Sequence, residues 1–267
     1  MKAKSTRAAV YFLGAWVLVA LAAPWIAPFD PQALGEHPLA PPSATHLLGA
    51  DSLGRDLLSR VLHGARISLQ VAAVSVAFAL LVGGTLGLLA GHFGGWIDGA
   101  ISRSTDVLFA LPEVLLALVL LAILGTGLIN LTLAIGIVYT PIFARIGRAA
   151  AIEERSRSYV EAARALGAGE LRIVFRHLLP NVAPPLLVQT TLSFAFAILA
   201  EAALGFLGLG GEPDLPSWGN MLRDGKDWLE QAWWVAMVPG LAISAAVLAL
   251  NVLGDGLRDA LDPHVGP

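Results

Sequence analysis

Six stretches of the chain stay apolar around a whole helical turn rather than on alternate residues. They lie at about 8–27, 67–91, 105–124, 128–147, 185–207 and 233–253. Each is close to the ~20 residues that an α-helix needs to cross ~30 Å of hydrocarbon. Strands of a membrane barrel would alternate polar and apolar residues, and these runs do not. A helix also satisfies its own backbone groups in lipid. The pattern predicts an all-α integral membrane protein with about six transmembrane helices. Two longer connections separate them: a Pro-rich loop from Pro28 that turns helix-like in "LLGADSLGRDLLSRVLHGAR", and a Gly-, Pro- and Trp-rich loop at 208–232. Between the fourth and fifth spans lies a polar, helix-forming segment, "YVEAARALGAGELRIVFRHLLPN", from Tyr159 to Asn181. No period of 20–50 residues marks an internal repeat.

Composition supports the membrane reading. Hydrophobic residues make up 56% of the 267, and charged residues only 14%, against about 25% in soluble domains. There is no Cys, so disulfides and thiolate metal sites are excluded. No basic patch with interleaved aromatics points to nucleic acid. The net charge of −3 matters less than its placement. With the N-terminus inside, twelve of the 17 Lys and Arg fall in inner segments, which favours both termini in the cytoplasm. The first span has a second reading. Lys2, Lys4 and Arg7, an apolar run and Ala20-Leu21-Ala22 resemble a cleavable secretory signal, but the run continues through Ala27 and is long enough to anchor.

The polar segment then faces the cytoplasm. Ser158 and Glu161 form an S-x-x-E pattern expected to cap a helix from Tyr159 to Leu166. Gly167 suits the left-handed residue that ends it. A second helix from Glu170 to about Leu179 would place Leu171, Val174, Phe175 and Leu178 on one face, with Pro180 closing it. Helices this short need tertiary support. Physics alone leaves two readings open: a connection lying on lipid headgroups, and a helix held by a partner in water.

Other candidates each have a bland alternative. Gly83, Gly87 and Gly91 form a small-residue stripe, read as close helix packing before any pore role. Pro112 and Pro141 are expected to kink spans three and four. Ionisable residues at membrane depth are functional candidates: Glu113, and Glu201, which either faces the cavity or makes a packing hydrogen bond. The four tryptophans of "LPSWGNMLRDGKDWLEQAWW" suit an interfacial helix or a docking surface for an outer binding protein. Asp51, Arg55 and Asp56 are expected to cap and brace a short helix. No G-x4-G-K-[ST], H-E-x-x-H or G-x-S-x-G pattern occurs, and the six His are scattered. No catalytic or metal site is expected.

"EAARALG" followed by "HLLP" resembles the EAA motif of ABC importer permeases, EAA-x3-G-x9-I-x-LP. Glu161, Ala162, Ala163, Gly167, Leu179 and Pro180 match, and His177 stands where the pattern has Ile. "FRHxLPN", "GHFGGWID", "EAALGFLGLG", "PSWGNML" and "LNVLGDGLRDALDP" are similar to the dipeptide, oligopeptide and nickel subfamily, over about residues 24–263. The likeness is to the second permease of such pairs. It implies an N-terminal anchor helix and outer loop (1–66), then a five-helix type I ABC importer core (67–267) with a cytoplasmic coupling segment at 148–184. It implies that Tyr159, Glu161, Ala162, Ala163, Leu166 and Gly167 meet the ATPase, and that Leu179 and Pro180 form the loop exit. The implied partners are a second homologous permease, two ATP-binding subunits, an outer solute-binding protein and the lipid membrane. ATP would be bound by those subunits, so this chain would need no cofactor and would be no enzyme. The implied setting is multi-pass in a bacterial or archaeal cell (inner) membrane. An ion-coupled secondary transporter or channel acting alone is the alternative; the sequence shows no inverted repeat and no paired Asp, Glu or His relay across the bilayer. A membrane enzyme would need a convergent catalytic set.

Overall fold

The computed structural model describes residues 2–261. His264 and the chain ends, whose side of the membrane the charge pattern predicts, lie outside the described residues. Those residues form ten α-helices and no strand, with one isolated bridge between Ala50 and Asp56. The long ones are α1 (Lys2–Ile26), α2 (Leu57–Phe93), α5 (Leu128–Arg155), α8 (Leu179–Phe206) and α10 (Trp234–Leu261). The short ones are α3 (Gly95–Phe109), α4 (Glu113–Leu124), α6 (Ser158–Ala165), α7 (Glu170–Ile173) and α9 (Trp218–Gly225).

Four helices, built on α2, α5, α8 and α10, are long and apolar enough to span. The pair α3 and α4 makes a fifth if counted together. α1 runs unbroken for 25 residues and covers nearly all of the first predicted span at about 8–27. The third predicted span differs. It is bent by 95° between Phe109 and Glu113. Pro112 has no N–H to donate and pushes the residue before it out of the helical region. The part before it carries Asp98, Arg103 and Asp106 and lies across α5. Asp98 pairs with Arg148, and Asp106 with Arg145 at 3.1 Å. Pro141, by contrast, sits inside an unbroken α5.

The centre of the bundle is the pair α2 and α5, its most extensive helix contact. Gly83, Gly87 and Gly91 line the seam. A Cβ on Gly91 would meet Ala151 Cβ at 2.6 Å, and one on Gly87 would run into the Ala144 carbonyl. The stripe is a packing device, as the small-residue spacing predicts. Phe143, Ile135 and Val76 fill the adjoining core. α2 starts at Leu57, so the polar "LLSRVLHGAR" is continuous with the span that follows. The domain boundary drawn at 66 and 67 therefore falls within one helix.

At the α9 end of the bundle the braced loop is far more buried than its composition suggests. Asp51, Arg55, Asp56 and Arg60 are all buried. Arg55 Nε donates to Asp51 Oδ2 at 2.6 Å, and its other nitrogens reach Asp214 at 3.2 Å and Asp224 at 3.4 Å. Asp56 caps α2 by accepting from Ser59 N at 2.8 Å, as expected. Trp218 does not lie at an interface. It is wholly buried, donates from Nε1 to the Val61 carbonyl at 3.1 Å, and stacks edge-on against Trp16. Gly64 makes room for it, since a Cβ there would meet the Pro216 carbonyl at 2.5 Å.

Candidate functional site

The polar segment joins the far ends of α5 and α8, opposite α9. α6 covers two turns, and its start differs from the expected capping box. Ser158 is already helical, and Arg157 is the N-cap with no side-chain capping bond. Arg157 serves another role, pairing with Glu153 at 2.9 Å and Glu154 at 3.3 Å on the last turn of α5. That network fixes the corner, so the serine hydroxyl has no cap to make. The end of α6 is as the sequence predicts. Gly167 takes φ +81°. Its N–H donates to the Arg164 carbonyl at 2.9 Å, and the Ala168 N–H reaches back to Ala163 at 3.0 Å. Those two bonds are the Schellman pattern.

One residue anchors α6 inward. Val160 is wholly buried. Tyr159 lies at the margin, where its hydroxyl donates to Glu154 at 2.6 Å and accepts from Asn181 Nδ2 at 3.1 Å. Burial, with the Glu154 carboxylate beside it, pushes this phenol above its ordinary value. The outward face carries Glu161, Ala162 and Leu166, with Ala163 half-buried. Leu166 is 88% exposed, and Leu171 and Phe175 on the following turns are 72% and 65% exposed. These three apolar side chains have no cover within the chain.

The stretch after α7 departs from expectation in two ways. The buried residues are Ile173, Val174, Leu178 and Val182, so Leu171 and Phe175 face away from the core. Pro180 does not end the helix. Val174–Leu178 winds as one π-helical turn, in which the Leu179 N–H bonds the Val174 carbonyl five residues back, and α8 runs on through Pro180, Pro184 and Pro185. Pro180 falls in the first turn of α8, where a missing N–H is tolerated, and the wide turn absorbs the register change. Leu179 and Pro180 are both exposed.

Two further features come from the tertiary structure. His92, at the end of α2, places Nε2 2.6 Å from Glu170 Oε2, while Arg164 Nε sits 3.4 Å from Glu170 Oε1. The Arg155 guanidinium donates to the His92 carbonyl at 3.0 Å. The polar segment is thereby tied to α2 as well as to α5 and α8. Sequence offers no signal for this, because the partners are 78 positions apart. The second feature is the setting of Glu201. It is 0% exposed, both carboxyl oxygens lack a well-formed hydrogen bond, and the Ser68 and Ser217 hydroxyls flank it. Its place is the joint between α2, α8 and the start of α9. No group of three or more His, Cys, Asp or Glu able to hold a metal occurs among the described residues.

Comparison with known proteins places this arrangement. Residues 83–267 match the family model described as "Binding-protein-dependent transport system inner membrane component". The chain is 52% identical over 256 residues to a di/tripeptide transport system permease protein of Pseudomonas aeruginosa, covering 93% of this chain and 84% of that one. It is 49% identical over 224 residues to a dipeptide transport system permease protein of Alkalihalophilus pseudofirmus, covering 84% and 74%. It is 43% identical over 260 residues to a glutathione transport system permease protein of Pectobacterium atrosepticum, covering 97% and 86%. Among solved structures, a chain of the inward-facing MetNI methionine ABC transporter matches with a TM-score of 0.62 at 21% identity, over 77% of this chain and 98% of that chain.

Proposed function

The chain belongs to the binding-protein-dependent transport system inner membrane component family, and from that premise we propose how it works. It is a permease subunit of an ABC importer of the peptide subfamily, and its solute is a short peptide or a close relative, as the names of its relatives suggest. It pairs with a second, homologous permease to enclose the path. Two ATP-binding subunits drive it, and an outer solute-binding protein delivers the cargo. The chain itself binds no ATP and catalyses nothing. The polar segment faces the cytoplasm, both termini lie inside, and the 148–184 region is the coupling segment of the bundle.

One observation carries this reading: a two-turn helix, α6, stands at the end of the bundle with an exposed face of Glu161, Ala162 and Leu166 and a glycine-built exit at Gly167. The small side chains of Ala162 and Ala163 let a groove on the ATPase close around the helix. Glu161 offers a charge at its rim. Closure of the ATPase pair moves α6, and the motion passes through Val160 and the Tyr159–Asn181 contact to α8, and through Glu170–His92 to α2. ATP binding thus shifts the populations of inward- and outward-open states. Co-purification tests the coupling role. The wild-type chain retains the ATPase subunits. Glu161→Arg and Gly167→Pro lose them while the membrane-inserted permease pair persists. ATP-driven uptake and assembly unchanged by both substitutions would remove the coupling role.

A further inference from the structure

α4 is only 12 residues long, about 18 Å at 1.5 Å per residue, against ~30 Å of hydrocarbon. Its far end lies at the α9 end of the bundle, where Gly211 packs beside Gly127 and Leu128. Its first residue, Glu113, therefore starts well inside the membrane thickness, directly after the 95° bend.

Glu113 does not point into protein. It is exposed and lines a cavity of about 220 Å³ between α4, α5 and α8, with Tyr139, Ala117, Ile135, Phe196 and Leu204 among its walls. Every other lining side chain apart from Tyr139 is apolar. Glu113 and Tyr139 share the lining of this cavity, and no Lys, Arg or His pairs with the carboxylate among the described residues. An ionisable side chain at membrane depth is costly unless it meets a cavity or a partner. Glu201, on the neighbouring α8, shows the contrast: it is sealed in packing.

We propose that Glu113 and Tyr139 form a cation site on the solute path, which takes a primary ammonium group of the transported peptide. The inference rests on the peptide reading above. The chemistry matches on three counts. A phenol O–H donates to one carboxylate oxygen and leaves further lone pairs on the carboxylate and the phenol, and an ammonium brings three donors to them. The Phe196 face adds a cation–π surface. The apolar walls accept the hydrocarbon of the cargo without specifying it, which suits a carrier of varied short peptides.

The ammonium has two sources, the peptide N-terminus and a Lys side chain. The test uses the complete importer in proteoliposomes, with Ala-Ala and Ala-Lys as probes and Glu113→Gln, Glu113→Asp and Tyr139→Phe as variants. ATPase co-purification and probe binding to the solute-binding protein are measured alongside and stay at wild-type values. Glu113→Gln slows uptake about tenfold or more, the size of one charge-assisted hydrogen bond, Glu113→Asp recovers part of it, and Tyr139→Phe falls between. Equal slowing of both probes assigns the N-terminal ammonium, and slowing of Ala-Lys alone assigns the side chain. Uptake of both probes at wild-type rate in Glu113→Gln overturns the site and leaves the peptide reading standing. A wild-type importer that moves neither probe overturns both.

Discussion

His92 Nε2, at the end of α2, lies 2.6 Å from Glu170 Oε2, at the start of α7. The central helix of the bundle is thus in direct contact with the segment proposed to meet the ATPase. The contact is half open to solvent on the Glu170 side and contributes about 0.5–1 kcal/mol. His92→Ala is expected to raise amide exchange across residues 158–173 by roughly two- to fivefold while the α2–α5 core stays protected. The same variant should hydrolyse more ATP per solute moved. Exchange equal to wild type across the segment would mean that α5 and α8 hold it unaided.

Gly87 abuts the backbone carbonyl of Ala144, and backbone cannot step aside as a flexible side chain can. Gly87→Leu forces α2 and α5 apart along their seam. We expect a loss of about 3 kcal/mol or more, at the upper end of overpacking effects, read as a lowered melting temperature of the detergent-solubilised protein. Gly99 makes a useful control: nothing lies within 4 Å of its Cβ position, so Gly99→Ala should leave the melting temperature near wild type.

Arg55 is buried and holds Asp51, Asp214 and Asp224 together. Arg55→Ala removes the nearest charge partner of the buried Asp51, which keeps Arg60 Nε at 3.5 Å and two backbone N–H donors. The loss is therefore that of a charge-assisted hydrogen bond, about 1.5–3 kcal/mol, below the ~3–5 kcal/mol of a fully unpaired buried charge. Asp214→Asn removes a partner that is 74% exposed and should cost less than ~1 kcal/mol. Equal effects of the two substitutions on thermal unfolding would contradict the burial described for this cluster.

Glu201 sits at a packed joint between Ser68 and Ser217. Glu201→Gln keeps the side chain's shape beside the two hydroxyls and removes only the charge, so assembly and uptake should stay within about twofold of wild type. Uptake abolished by Gln with assembly intact would show that the negative charge itself faces the solute, as the cavity reading of the sequence expected.

How far local pattern reaches is clear from particular residues. Gly167 was readable as a helix end because only glycine takes φ > 0 without strain. The Gly83–Gly87–Gly91 stripe was readable because a spacing of four keeps small residues on one helical face. Pro112 was readable as a break, though not its size. Pro180 misled, because a proline ends a helix only when no wider turn absorbs it, and whether one does depends on what Ile173, Val174 and Leu178 are buried against. Trp218 misled for a similar reason. An amphipathic ring belongs at an interface unless a pocket exists for it, and Gly64 on α2 supplies one for Trp218.

The chain's own order of apolar and polar residues therefore determined the helical class, the approximate spans, and the existence and exit of α6, since these depend on periodicity and on backbone preferences of single residues. The tertiary structure alone decided which charges meet. Arg55 finds Asp224 across 169 positions, His92 finds Glu170, and Glu113 opens to a cavity while Glu201 is shut away. Such pairings depend on how separate helices cross and on which faces they bury against each other, and no local window of sequence contains that information.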